Sequence, residues 1–411
     1  MAIEYKLSYT ASEIDENLKK INELHIENSE GENSLQQTLN RTVFTVANEK
    51  INESTDVVRD DNGNIVSGAI GAYSSIFGGS AQAKGKRSQA SGSNTVALGG
   101  YSHAEGNETF ASGINSHSEG LLTTTLGDNS HAEGDKSIAT GSASHAEGNT
   151  TQAIGETSHA EGLKTKASGI AAHAEGDETE ASGQASHAEG LKTKSSGSYS
   201  HAEGIESVAE GYGSHAEGNN TIASGDYSHT EGQGTKASAY HAHAEGSGTS
   251  ANDTSAHAEG IDTKADNKAS HAEGSSTIAS GLSSHAEGDG SESRGTNSHA
   301  EGGKTLAISA HSHSEGFNTI ANGDCQHVQG KWNIEDSKKR YAHIIGNGTS
   351  EDDGGIPINI QRSNAHTVDW DGNAWYQGSV EATAIILSSP NGTRYKVTVA
   401  DDGTLNATVV S

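Results

Sequence analysis

The chain has 411 residues, of which 31% are hydrophobic and 4% aromatic, with 52 glycines, 2 prolines and one cysteine. So few large apolar side chains exclude a conventional globular core of this length, and the lone Cys325 excludes an intrachain disulfide framework. A formal net charge of −29 argues against a nucleic-acid partner, because phosphate binding needs clustered Lys and Arg.

Residues 1–45 read as an N-terminal helical attachment segment. Within it, residues 10–27, "TASEIDENLKKINELHIE", predict a short helix. Thr10 or Ser12 can cap it, and Ile14, Leu18, Ile21 and Leu24 make one apolar stripe. In an oligomer such a stripe builds a short coiled coil; in a lone chain it docks on another surface. The first residues lack the apolar run of a signal peptide, so assembly in a cytoplasm is expected. No stretch approaches the roughly 20 apolar residues of a bilayer-spanning helix. Residues 46–68 read as a connector, with a turn at "DDNGN".

From residue 69 to residue 330 the chain is periodic, which is the mark of stacked repeats and not of disorder. Histidines recur every 14 residues from His103 to His327, without an insertion. Two positions after each comes Glu, from Glu105 to Glu315, with Gln329 in the last repeat, and then an unbroken glycine column from Gly106 to Gly330. Each repeat has two similar halves, small–x–Gly–x–x–Ser/Thr–x. Each half predicts a short strand and a turn at which Gly bends the backbone. Two strands and two turns describe one coil of a narrow parallel β-solenoid, and 18 to 19 coils spaced as strands are would make a rod of roughly 90 Å. Strand alternation turns Ser, Ala and Gly of "SHAEG" inward and His and Glu outward. The roll interior is then Ala104, Ala132, Ala160, Ala188 and Ala216, joined by Ala111, Ala139, Ala153 and Ala167 of the second strand. Alanine contributes little hydrophobic free energy, so partners packed on the outer face are expected.

"ALGGYSHAEG" and "AIGAYSSIFG" carry an AxGxxSxAxG pattern that resembles the head repeat of the YadA-like trimeric adhesins, over residues 69–330. The resemblance implies a left-handed parallel β-roll, with three rolls side by side about a threefold axis. In that family the positions matching His103 and Glu105 are usually apolar and face the neighbouring chains. A ladder of glutamates alone would repel itself. The His/Glu columns are therefore read as trimer interface: His103 and Glu105, His131 and Glu133, His159 and Glu161, His187 and Glu189, His215 and Glu217, His243 and Glu245, His271 and Glu273, His299 and Glu301. Interleaved between chains, each His would hold its Glu below the usual carboxylate range, and the trimer would loosen as pH falls. The competing readings are solvated columns without a role, and metal sites on the axis at His241-x-His243 and His311-x-His313. No copy of the pair is distinguished from the others, so no catalytic residue, cofactor or resident metal is assigned. Tyr199, Tyr212 and Tyr227 read as scattered loop residues.

Residues 331–411 hold all three tryptophans, Trp332, Trp370 and Trp375. "HTVDWDGNAWYQG" predicts a hairpin about Asp371-Gly372-Asn373, and "SSPNGTRYKVTVADDGTLNATVV" predicts short strands broken at Pro390-Asn391-Gly392 and Asp401-Asp402-Gly403. Such a β-rich tip would cap the last solenoid edge. This segment, with "YAHIIGNGTS", resembles C-terminal regions of tail-fibre and appendage proteins from phages and prophages of Gram-positive bacteria. Ser363, His343 and His366 are too unspecific to nominate as nucleophile and base for the self-cleaving domain of some relatives.

The expected fold is all-β, a trimeric left-handed parallel β-roll with a short N-terminal helix and a small C-terminal β-rich tip. The expected function is a homotrimeric tail fibre or receptor-binding protein of a phage or phage-like contractile particle, not an enzyme. It would attach to a baseplate or tail protein through its N-terminal segment and bind a host cell-surface glycan or protein. It would be assembled in the host cytoplasm and released by lysis. An exported trimeric surface adhesin is the first rival and a polysaccharide-degrading tailspike the second.

Overall fold

The computed structural model describes residues 58–59, 65–67, 74–353, 356–378, 385–400 and 403–410. The helix expected over 10–27 lies outside the described residues. Among the described residues there is no helix; every regular element is a strand. The connector's "DDNGN" is bracketed by Val58–Arg59 and Ile65–Ser67, which pair antiparallel.

The chain divides after Ala185 into two compact units. The first unit is a parallel β-solenoid whose coil alternates a long strand with a short one. The long strands run from Ser75–Phe77 and Gln89–Ser93, through His103–Asn107, to His173–Asp177; the short ones run from Gln82–Ala83 to Glu180–Ala181. Neighbouring coils pair in register at a constant step: His131 faces His117 and His145, and Glu133 faces Glu119 and Glu147. The second unit repeats this design from His187–Leu191 to His327–Lys331, with short strands from Lys194–Ser195 to Ile320–Ala321.

The coil is narrow because its interior positions hold only small side chains. In one coil these are Ser102, Ala104, Thr109 and Ala111, each at most 1% exposed. Ala132, Ala160, Ala188 and Ala216 are likewise fully buried. A buried hydroxyl needs a partner, and the serine column supplies its own: Ser102 Oγ donates to the Gly99 carbonyl at 2.7 Å and Ser116 Oγ to that of Gly113 at 2.8 Å. Thr193 and Thr319 reach the carbonyl of the glutamate four residues back, at 3.1 and 3.0 Å.

The glycine of "SHAEG" does not face inward. Gly106 sits at the exposed rim with φ +111°, so the strand alternation stops at Glu105. A Cβ there would lie 2.1 Å from the Gly120 carbonyl oxygen. The second glycine column has a different reason. Gly113 is buried, and a Cβ on it would lie 1.9 Å from the oxygen of Gly127 in the next coil. The tight turns themselves use ordinary residues in the left-handed region, among them Glu108, Asn115, Leu122 and Thr157 at φ +55° to +58°. Each of these turns is tied to the previous coil, as when Asn115 N–H donates to the Gly100 carbonyl at 2.9 Å.

The second unit closes its solenoid with side chains. Asn333, fully buried, stands where the next short strand would pair: its Oδ1 accepts from Ile320 N–H at 2.8 Å and its Nδ2 donates to the Ile320 carbonyl at 3.0 Å. The long-strand ladder continues one step beyond residue 330. Tyr341–Asn347 pairs parallel with His327–Lys331, and Ile344 fills the interior position held elsewhere by alanine. Tyr341–Asn347 then pairs antiparallel with Asn364–Asp369, which forms a hairpin with Ala374–Tyr376 about the expected turn. The last three strands, Ile385–Ser388, Arg394–Val399 and Leu405–Val410, form an antiparallel meander with its connections at the two expected breaks.

Candidate functional site

In-register parallel pairing stacks identical residues one strand spacing apart. In the first unit the rings of His103, His117, His131, His145, His159 and His173 stack in succession, with centroids 4.7–4.8 Å apart and planes within 13°. In the second unit stacking starts with His187 and His201 at 4.7 Å, passes through His215, and ends with His313 and His327 at 4.8 Å.

The glutamate column runs beside the histidines. Positions two apart on a strand share a face, and the side chains meet within one chain. His103 Nε2 lies 3.3 Å from Glu105 Oε2, His131 3.5 Å from Glu133, His187 3.5 Å from Glu189, and His243 3.4 Å from Glu245. His159 and Glu161 are 3.9 Å apart. Near the end of the second unit the glutamates also reach the following coil. Glu273 lies 3.9 Å from His271 and 3.6 Å from His285, and Glu301 lies 3.7 Å from His299 and 3.9 Å from His313. Strand alternation alone thus brings each His and Glu together within one chain.

Within one chain, burial dominates the electrostatics of the ladder. Burial, and then the neighbouring histidines, hold His131, His159, His243, His271 and His299 below the usual imidazole value, and the glutamates oppose this. These five histidines therefore favour the neutral imidazole at pH 7. A hydrogen bond shared with Glu273 pushes Glu287 up to about 7, and the same bond lowers Glu273. Glu259 is raised, mainly by burial.

The two His-x-His motifs are not pairs on one strand face. His241 and His311 occupy left-handed turn positions at φ +56° and +57°. His241 packs on Tyr240, with centroids 3.9 Å apart, and His311 Nε2 lies 3.3 Å from Asn297 Nδ2.

Sequence reasoning missed two features. Tyr199, Tyr212, Tyr227 and Tyr240 are not scattered: they form an edge-to-face stripe with centroids 5.4–5.7 Å apart. All four are about half exposed. Gly213 leaves the gap that seats Tyr227, whose ring lies 3.2 Å from where a Cβ would be. The signal was the alternating spacing of 13 and 15 residues, which places the tyrosines on two adjacent turn columns. The second feature is a cleft of ≈ 570 Å³ in the second unit, lined by Arg340, Tyr341, Arg362, Thr367 and Trp375 among others. At its edge the Ser363 hydroxyl donates to Asn347 Oδ1 and Gln377 Oε1, at 2.6 and 3.0 Å. His343 and His366 instead contact each other's rings, at 5.7 Å. Ser363 is thus engaged by amides and not by an imidazole base.

Residues 90–116, 119–144 and 202–228 match the YadA head domain repeat (2 copies). All three stretches lie within the solenoid, and in them His and Glu stand on the outward face of the long strand. No curated protein matches the chain.

Proposed function

We propose that the chain is the subunit of a homotrimeric, adhesin-like fibre that attaches its carrier to a cell surface, and that it works by binding and not by catalysis. The observation that carries this reading is the run of YadA-type head repeats. A second observation supports a self-assembling chain. Cross-strand register in the C-terminal meander sets Ile385 opposite Val397 and Ala407, Leu387 opposite Tyr395 and Val409, and Val399 opposite Leu405. One face of this sheet is therefore apolar apart from the Tyr395 hydroxyl, while Arg394, Lys396, Thr398 and Asn406 alternate onto the other. Leu387, Val399, Leu405 and Val409 are 55–71% exposed in a single chain. Such a face marks an interaction surface, and two further copies of the same sheet would cover it. In this assembly the His/Glu columns, from His103 and Glu105 to His299 and Glu301, are the faces the rolls present to one another.

The carrier we favour is a phage or phage-like tail, on the resemblance of residues 331–411 to phage fibre tips, with the baseplate held by the N-terminal segment. A bacterial surface adhesin is the second reading, which the head repeats favour. Features that break the repeat, the tyrosine stripe and the polar cleft, are the proposed contacts for a surface glycan or protein. Immunogold electron microscopy with antibodies to the tip separates the carriers: label on particle tails supports the first, and label confined to the cell envelope overturns it in favour of the second.

A further inference from the structure

The His/Glu ladder places three metal-ligand atoms together in coil after coil. One ring nitrogen from each of two successive histidines and one carboxylate oxygen lie within 4.8 Å of one another in the groups His103–Glu105–His117, His117–Glu119–His131, His131–Glu133–His145 and His145–Glu147–His159, and further groups follow in the chain. Glu301 shows the arrangement most directly, since its Oε2 faces both His299 Nε2 and His313 Nε2, at 3.7 and 3.9 Å.

The chemical state of these atoms fits a ligand set. The Nε2 atoms of His103, His131, His271 and His299 are shielded from solvent, and among the described residues no hydrogen bond reaches them. An imidazole nitrogen shielded from water that faces a carboxylate without a hydrogen bond, as His103 Nε2 faces Glu105 at 3.3 Å, loses interaction energy relative to water. A cation between ring and carboxylate would recover it and would also offset the repulsion along the glutamate column. Two imidazoles and one carboxylate, with a fourth position left to water, are a familiar donor set for zinc, and nitrogen-rich sites favour zinc, nickel and copper over calcium or magnesium.

We propose that the ladder is a linear array of transition-metal sites, each formed by two histidines of successive coils and the glutamate between them. Both histidines and the glutamate come from one chain, so the proposal does not rest on the trimer. The geometry also limits occupancy. Adjacent groups share a histidine, as His117 and His131 show, and one Nε2 binds one ion. The array therefore fills at no more than one ion per two column histidines. The column has six histidines up to His173 and eleven from His187, which allow three and five ions.

The test is titration of chelator-stripped full-length protein with Zn²⁺ by calorimetry, with the metal retained after desalting counted by mass spectrometry, and a parallel Co²⁺ titration read by visible absorption. Saturation at several ions and at most eight per chain, with the intense Co²⁺ bands of a tetrahedral nitrogen–oxygen site, is the expected result. Saturation at one ion or none overturns the array. Saturation at one ion per histidine overturns the shared-ligand geometry. A variant with Glu133→Gln, Glu147→Gln and Glu161→Gln tests the carboxylate while leaving the histidines in place. It should bind at those coils roughly tenfold more weakly or worse, with unchanged strand content by circular dichroism. Unchanged affinity and stoichiometry in this variant removes glutamate from the site.

Discussion

Each coil depends on single residues whose roles differ although their letters repeat. Gly134, at φ +104°, has its would-be Cβ 2.0 Å from the Gly148 oxygen. Gly134→Ala combines a forbidden backbone conformation with a backbone overlap that no rotamer relieves, so it should destabilise by ~3 kcal/mol or more and lower the melting midpoint clearly. Thr157 is the reverse case: a β-branched residue held at φ +55° on an exposed turn. Asparagine tolerates that region, and Thr157→Asn should gain about 1 kcal/mol. A midpoint that does not rise would show that the turn strain is relieved elsewhere. The histidines set the pH response. Their folded-state values lie below the unfolded one, as at His131, His243 and His299. The unfolded chain therefore binds protons first as pH drops below about 6.5, and stability is full above that pH and lost as pH falls toward the lowered values. Glu287 acts oppositely, since its raised value makes its contribution largest at low pH and lost as pH rises through about 7. The lowered histidines recur in both units and outnumber the raised glutamates, so the net slope follows the histidines. Melting in a chelating buffer should give a higher midpoint at pH 7.5 than at pH 5, and equal midpoints would contradict the lowering at these histidines.

The coil is the unit on which these residues act, and it is defined by register. Deleting residues 145–158 removes one coil and sets His159–Leu163 where His145–Asn149 stood, so strand content should be retained and the melting midpoint barely changed. Deleting residues 145–151 alone would set a short strand and its turn against a long one, orphan the glycine contacts of that coil, and cost cooperative unfolding. Equal melting curves for the two deletions would mean that the two halves are interchangeable. This period was legible in the sequence because alanine and serine recur at interior positions, and only small residues fit there, as fully buried Ala132 and Ala160 show. The hairpin at 371–373 was legible from its turn residues. The rim position of Gly106 was not, because glycine at an alternating position looks identical whether it packs inward or bends the strand. The pairing of His103 with Glu105 inside one chain was not legible either: periodicity assigns a face, whereas rotamers decide which neighbour a side chain meets. The tyrosine stripe was hidden because its members lie 13 and 15 residues apart and so fall on no single repeat column. If this stripe binds a receptor, Tyr212→Ala with Tyr227→Ala should weaken cell binding roughly tenfold, the loss of about 1.4 kcal/mol from one aromatic anchor, without altering solution mass. Undiminished binding would leave the C-terminal cleft as the remaining candidate.

A chain whose solenoid interior is mostly alanine, serine and threonine gains little from burial per residue, and its stability should depend on what covers its apolar surfaces. The C-terminal meander makes this concrete. Its apolar face, with Val399 67% and Leu405 71% exposed, would be a liability in a free monomer, both as apolar area and as a sheet with open edges. Two further copies about a common axis would turn that face into a small core and tie the three C-terminal segments together. Light scattering after size exclusion should therefore give a mass near three times 42.2 kDa at neutral pH. Leu405→Ser with Val399→Ser should reduce that mass to one chain, because both serines fall on the apolar face while neither touches the solenoid ladders. A monomeric parent protein would sink the trimer outright. A trimeric parent whose double-serine variant is also trimeric would keep the trimer but move its contacts from the sheet to the rolls, where the His/Glu faces are the surface in question. The order of loss on acidification then discriminates further. If the sheet holds the chains together, the trimer should survive to a pH at which the histidine column has already begun to charge, because the meander's apolar face carries no imidazole or carboxylate. If the rolls hold them, mass and melting midpoint should fall together.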